Sequence, residues 1–429
     1  MKWAAGLCNN DFSQKWAERM SVAKQDRRSA SADSGEGLAG HSRDIPRVRR
    51  RVFHLVDSLQ IGGTESQAVE LARRLDPACY AVTLGCLKAE GPLFEALQGS
   101  SVEVREFFPR GGLDSPRGLY QVLRLSLFLR SGFDVVHTHD LWSNLMGIPA
   151  AWMAGVPVIV SSRRDLSHLD WYRAGRRKWL RRIQGLSDIV LANANCIRDR
   201  LIADGDFAAE KVRVIYNGLD VEKFGGIRRA GPQPFPGGDA QKKTIALIGN
   251  MHSDVKGHTF LVAAVPMVVR EFPDVRFVLV GDGERRTEIE QQVASLGLQR
   301  NFVFLGKRND VAEILAHCDI GVLPSVAEGL PNAVLEYMAS GLPVVVSSVG
   351  GCLEIVKDGE TGLLVPPRSS EAMGAALLRL LGDPMFCRRL GECGQAHVRC
   401  NFSFERLVEQ VHGLYTELLE RYAKRLARA

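Results

Sequence analysis

Residues 320–348 read IGVLPSVAEGLPNAVLEYMASGLPVVVSS, and this stretch decides the fold. The apolar runs 320–324 (IGVLP) and 343–348 (PVVVSS) show no polar alternation, as strands covered on both faces require. Between them Glu328-Gly329 makes a tight turn, Pro331 suits the first position of a helix, and Gly341 with Pro343 just beyond closes it. Strand, turn, helix and strand in this order form the repeating unit of a parallel sheet layered by helices.

The same pattern extends in both directions. Runs at 244–249 (TIALIG), 276–281 (RFVLVG), 302–306 (FVFLG) and 362–366 (GLLVP) complete one series. An earlier series occupies 51–57 (RVFHLVD), 80–87, 102–107, 133–139 (FDVVHTH), 156–162, 188–193 and 212–217 (VRVIYN). Residues 218–243, with three prolines and many glycines, break the pattern between them. The expected organisation is a mobile basic arm at 1–46, an α/β domain at 47–217, a linker at 218–243, a second α/β domain at 244–400, and a C-terminal helix within 401–429 that packs back across the domains. In that helix Phe404, Leu407, Val411, Leu414, Leu418 and Leu419 recur at helical spacing. Two such domains face each other across a cleft, and ligands in parallel sheets bind beyond the carboxyl ends of the strands.

Composition narrows the function. The 429 residues are 45% apolar and 24% charged, an ordinary globular mix. The longest apolar stretch, 147–160, falls short of a membrane span and contains Pro149 and Pro157. Without a basic segment leading into an apolar core at the N-terminus, the expected location is the cytoplasm. Nine scattered cysteines form no C-x-x-C pair and no Cys/His cluster, so neither disulfides nor a metal are expected. The net charge of +6 sits in residues 1–50, with ten Lys/Arg against six Asp/Glu, and in Arg163 to Arg182, with eight basic residues against Asp165 and Asp170. The remainder is acidic, which argues against nucleic acid as a partner. The second basic stretch, which also carries Trp171, Tyr172 and Trp179, suits peripheral contact with an anionic membrane.

The helix that follows Glu328-Gly329 offers free N–H groups and a positive dipole end to a diphosphate. Glu328 and Glu336 stand eight positions apart and would point about 80° apart on one helix, so each suits a different part of an elongated ligand. The Gly62-Gly63 turn after the first strand allows close approach of backbone to ligand. Gly281-Asp282-Gly283 lacks the third glycine of a dinucleotide fingerprint, and Asp204-Gly205-Asp206 reads as a surface turn.

From Arg51 to Leu419 the chain resembles the retaining glycosyltransferases of family 4, which have the GT-B fold: two Rossmann-like α/β domains whose parallel sheets face an interdomain cleft. The resemblance rests on EGLPNAVLEYMASGLPVVVSSVGG (an E-x7-E signature), the GG-x-E loop at Gly62, Gly63 and Glu65, the H-x-H strand end at His137 and His139, VIYNG at 214–218, Lys256-Gly257, GDG at 281–283 and DGETGLLVPP at 358–367. It implies that Glu336 binds the donor ribose, that Glu328 reaches the donor sugar, and that Lys256 neutralises the leaving diphosphate. His139 takes the place of the histidine beside the donor sugar, with His137 as the alternative. Gly329, Leu330, Asn332, Gly350 and Gly351 join Gly62 and Gly63 as donor contacts, with Glu354 nearby. Asn250 stands where the family commonly has an arginine that shares the diphosphate charge, leaving Arg163, Arg164 or His252 to assist Lys256.

The expected activity is transfer of a hexose from a nucleotide diphosphate sugar to a hydroxyl of a saccharide or lipid-linked acceptor, with retention and without a cofactor or metal, in cell-envelope polysaccharide or lipid-linked saccharide synthesis. The alternatives are a nucleotide-sugar epimerase of the same fold and a non-catalytic nucleotide-sugar-binding subunit.

Overall fold

The computed structural model describes residues 49–107, 115–164, 174–225, 233–236 and 242–428. The N-terminal arm, residues 226–232 and 237–241 of the linker and residues 165–173 of the basic stretch lie outside the described residues. Two parallel sheets organise the rest.

The first sheet has seven strands: β1 (Arg50–Ser58), β2 (Tyr80–Lys88), β3 (Glu103–Glu106), β4 (Val135–Thr138), β5 (Val158–Arg163), β6 (Ile189–Ala192) and β7 (Val212–Val214). Their order is β3-β2-β1-β4-β5-β6-β7. The second has six: β8 (Thr244–Ile248), β9 (Arg276–Val280), β10 (Phe302–Gly306), β11 (Ile320–Leu323), β12 (Val344–Ser347) and β13 (Leu363–Val365), in the order β10-β9-β8-β11-β12-β13. Every apolar run found in the sequence is a strand. The two edge strands of the first sheet depart from double burial: β3 is largely exposed and β7 exposes Arg213.

In each sheet the strand order reverses beside the first strand, between β1 and β4 and between β8 and β11. Such switch points open crevices beyond the strand ends. An apolar cluster joins the two halves, running from Val190, Ala192 and Leu201 through Phe224 to Leu323, Val334 and Tyr337. The helix Phe404–Arg428 buries Leu407, Val411, Leu414, Tyr415 and Leu418 against β1, β2 and β5 of the first sheet, so this helix returns from the second lobe to the first. Among the described residues no helix is long and apolar enough to cross a membrane.

The unit 320–348 shows how local packing fixes the site. Tyr337, fully buried on the helix Asn332–Ala339, lies over Gly321 of β11, where a Cβ would come within 2.4 Å of its ring. Its hydroxyl accepts from Ile248 N at 2.5 Å and faces Val322 O at 3.3 Å. Removing that hydroxyl leaves the N–H at the end of β8 unsatisfied in the interior. Tyr337→Phe is therefore expected to lower stability by about 1–3 kcal/mol in urea unfolding, with an unchanged slope.

Candidate active site

On the second lobe, Lys256 ends a single helical turn, Asp254–Lys256, after β8. The next residue, Gly257, has φ +68°, and a Cβ there would come within 1.9 Å of Pro324 O. The glycine thus lets the turn lie against the end of β11, which brings Lys256 Nζ to 2.7 Å from Glu328 Oε1. The same carboxylate oxygen accepts from the buried Ser325 hydroxyl at 2.6 Å. Glu328 itself is buried. Gly350 and Gly351 set the other side of this turn: their Cβ atoms would come within 1.9 Å of Glu328 O and 2.0 Å of Gly329 O. Their absent side chains make room for protein backbone.

On the first lobe, Arg164 follows β5. It donates to Asn217 Oδ1 at 2.8 Å and to His139 Nδ1 at 3.4 Å. Asn217 in turn donates to Asn332 Oδ1 at 2.7 Å, which carries the contact into the second lobe. Asn217 is itself placed by the buried Gln67, whose amide exchanges two hydrogen bonds with the Gly218 backbone. Around Arg164 stand Glu65 and Asp140, both with carboxyls held above their ordinary range mainly by desolvation, with Arg164 opposing the rise. Behind them Asp57, whose carboxylate receives Ser143 N at 2.7 Å, is pushed up to about 7 by burial.

These groups line a cleft of about 340 Å³ between the lobes: Gly63, Thr64, Glu65, Asp140, Arg164, Asn193 and Asn217 on one side, and Lys256, Glu328, Leu330, Pro331, Asn332 and Ala333 on the other. A smaller cavity of about 80 Å³ adjoins it beside His139, Asp140 and Arg164. Of the residues singled out in the sequence, Gly63, Glu65, Arg164, Lys256, Glu328, Leu330 and Asn332 line the cleft together. Gly62 caps the helix Gly63–Arg74 next to it, and Gly329 packs against Arg164 O. Glu336 lies farther along its helix, pushed from 4.5 up to about 7 by desolvation, with Lys223 and Lys256 opposing. Asn250 is exposed, beyond the lining residues. Glu354 binds protein: it accepts from Asn195 N at 2.7 Å and Cys196 N at 2.8 Å, capping the helix Asn195–Ala203 of the first lobe.

His139 and His137 are both buried, alongside His54. His137 contacts the Tyr415 hydroxyl at 2.7 Å and Ser162 Oγ at 2.9 Å, so both its nitrogens are used within the core. The three imidazoles form the one histidine, cysteine and carboxylate group at metal-ligand spacing among the described residues. Five of their six nitrogens, however, pair with one another or with neighbouring side chains, the exception being His54 Nε2. Sequence reasoning passed over Asp140 and Asn193 and gave Asn217 of the VIYNG motif no role; each stands just past a strand of the first sheet, the position at which sheet geometry places ligand contacts.

The model of glycosyltransferase family 4 matches residues 61–223, and that of the glycosyl transferases group 1 matches residues 242–383. The alpha-maltose-1-phosphate synthase of Mycolicibacterium smegmatis is 30% identical, over 66% of this chain and 79% of that protein. The chain belongs to glycosyltransferase family 4. This glycosyltransferase is also 27% identical to the Escherichia coli UDP-Gal:alpha-D-GlcNAc-diphosphoundecaprenol alpha-1,3-galactosyltransferase, over 86% of the chain and 97% of that protein. Its architecture is GT-B: the structure of Anabaena HepE in complex with UDP and glucose matches with a TM-score of 0.75 at 22% identity, over 86% of this chain and 100% of that one.

The position of Glu336 gives a test of the electrostatics of the family 4 site. A carboxyl whose folded pKa is raised stabilises the fold fully below its unfolded value, and that contribution is lost as pH rises through the folded value, here between 4.5 and about 7. Glu336→Gln carries no such loss. Relative to the parent, its Tm is expected to be higher by a few degrees at pH 8 than at pH 5. An identical difference at both pH values would show that Glu336 is not desolvated.

Proposed function

We propose that the chain transfers a hexose from a nucleoside diphosphate sugar to a hydroxyl of a saccharide or lipid-linked acceptor, with retention at the anomeric carbon, on the cytoplasmic side of cell-envelope saccharide synthesis. The observation that carries this reading is the Lys256 ammonium held 2.7 Å from Glu328 in a cleft that the N-terminal end of the helix Asn332–Ala339 also lines. An ammonium and free backbone donors beside one another suit a diphosphate leaving group. The relatives add support, since the E. coli protein is named for a UDP-sugar donor and a lipid diphosphate acceptor, and the HepE structure holds UDP.

In this reading the bond from the anomeric carbon to phosphate breaks while the acceptor oxygen bonds to the same face, and the acceptor proton passes to the departing phosphate. Lys256 stabilises the charge that develops on the leaving group, and Arg164 approaches it from the other lobe. Glu328 orients the lysine until the diphosphate arrives and then faces the sugar; Glu336 receives the ribose hydroxyls. Glu65 and Asp140, on the opposite wall, suit a neutral polyol more than a second phosphate. Two fixed cations supply the charge, so the reaction as proposed needs no metal and no cofactor.

The lipid-linked acceptor brings the protein to an anionic bilayer. Of the basic stretch, Arg163 is buried and bonds to Gln184, and Arg177 is paired with Asp204 and Asp206, while Trp179 is half exposed. The helix Pro116–Leu129 adds a second face: Leu119, Tyr120, Leu123 and Leu127 are exposed, Arg117 and Arg124 flank them, and the helix contains no carboxylate. Apolar side chains beside arginines suit an anionic interface.

Lys256→Ala is expected to lower kcat by about 100- to 1,000-fold with an unchanged circular dichroism spectrum. Calorimetric titration with UDP, GDP and ADP should show one preferred nucleotide, whose binding Glu336→Ala abolishes. Near-normal turnover of the lysine variant, or binding of none of the three, would defeat the assignment. In sedimentation at low salt, phosphatidylglycerol vesicles should retain more protein than phosphatidylcholine vesicles, and Leu123→Glu should reduce the difference. Equal retention on both vesicles would remove the membrane contact.

A further inference from the structure

His54 lies in the middle of β1, directly across from His137 of β4, and its Nδ1 is 2.8 Å from His139 Nε2. The two rings are inclined by only 13°, with centroids 5.1 Å apart, as edge-to-edge imidazoles joined by one N–H···N bond would be. On its other side, His139 Nδ1 meets Arg164 Nη2 at 3.4 Å.

A guanidinium has donors and no acceptor. His139 Nδ1 must therefore offer its lone pair to Arg164, and the proton of the neutral ring must sit on Nε2. That N–H needs an acceptor, which only an unprotonated His54 Nδ1 provides. His54 then carries its own proton on Nε2, the atom that has no hydrogen-bond partner among the described residues. The opposite tautomer would set two N–H groups against each other at Arg164. Burial keeps both rings neutral, His54 pulled down to about 3 and His139 well below 6.5, so this pattern persists through the physiological range. The groups facing His54 and His139 are each other, His137 with Tyr415 behind it, and Arg164.

We propose that His54 is a positioning residue for glycosyl transfer: it fixes the tautomer of His139, which in turn holds the Arg164 guanidinium at the cleft. The chain of donors then has one direction throughout. Arg164 donates to His139, which donates to His54; Arg164 also donates to Asn217, which donates to Asn332 of the second lobe. A residue in the centre of a sheet thereby governs a cation on the cleft wall. The inference rests on the proposed use of Arg164 in the reaction, but its first test does not.

The test uses the full chain with isotope-labelled histidine and two-bond proton–nitrogen correlation spectra, the His139 signals assigned by their loss in His139→Gln. The protein and His54→Asn, whose amide oxygen replaces the Nδ1 acceptor, should both show His139 protonated on Nε2. His54→Leu, which removes the acceptor, should show the other tautomer or a mixture. With UDP-galactose as the probe, His54→Leu should lower kcat by about 10- to 100-fold with little change in KM, and His54→Asn should restore most of it. A His139 protonated on Nδ1 in the parent protein overturns the proposal, whatever the activity. So does a His54→Asn variant that melts normally yet is as slow as His54→Leu, or a His54→Leu variant with full turnover. Absence of UDP-galactose turnover in the parent protein would exclude that one donor, and the tautomer spectra would still decide the role of His54.

Discussion

A guanidinium stays charged at any pH a folded protein meets, so placing one in a desolvated site commits the structure around it. Arg164 is such a group, with burial working against its charge and Asp140 and Glu65 supporting it. Its donors reach His139 in the core of the first lobe and Asn217 at the floor of the cleft, and its backbone carbonyl supports Gly329 of the second lobe. The turn that carries Glu328 therefore rests on the residue that supplies the opposing cation. Any shift of Arg164 would disturb both walls of the site.

The lobes are joined at a second point by a different device. Glu354 of the second lobe caps the helix Asn195–Ala203 of the first, and its Oε2 also receives the Tyr216 hydroxyl at 3.0 Å. A carboxylate at a helix N-terminus is favoured both by the free N–H groups and by the dipole. With Asn217 and Asn332 at one contact and Glu354 at the other, polar groups align the lobes. The apolar cluster shared between them supplies the burial. This division suits a cleft, because polar contacts specify orientation where apolar burial alone does not.

The strands were legible in the sequence because double burial demands unbroken apolar runs, and the helix after Glu328 was legible from its turn and closing residues. The site was legible only where chemistry and local spacing coincide, as in Lys256-Gly257 and in the run from Glu328 to Asn332. Farther on, contacts within the protein are what the fold shows: Gly350 and Gly351 accommodate the Glu328-Gly329 backbone, and Glu354 caps a helix of the first lobe. His54, Arg164 and Asn217 owe their importance to partners far away in the chain, brought together by strand order, and no local pattern announces that. The basic run from Arg163 to Arg182 looks uniform as sequence, yet the fold divides it. Arg163 enters the core, Arg164 the cleft, and Arg177 pairs with the Asp204-Gly205-Asp206 turn.

Asn250 gains meaning from the same arrangement. A second cation at that position would come from the same lobe as Lys256, so that both charges approached the diphosphate from one side. Here Asn250 is exposed, and the second cation nearest the cleft is Arg164, on the other lobe. In the proposed reaction the leaving group is then neutralised from both walls at once. Full stabilisation is available only when the lobes are apposed and the Arg164 chain is intact. Cations divided in this way would make the attraction to diphosphate a force drawing the two walls together, where water is excluded and each charge interaction is stronger.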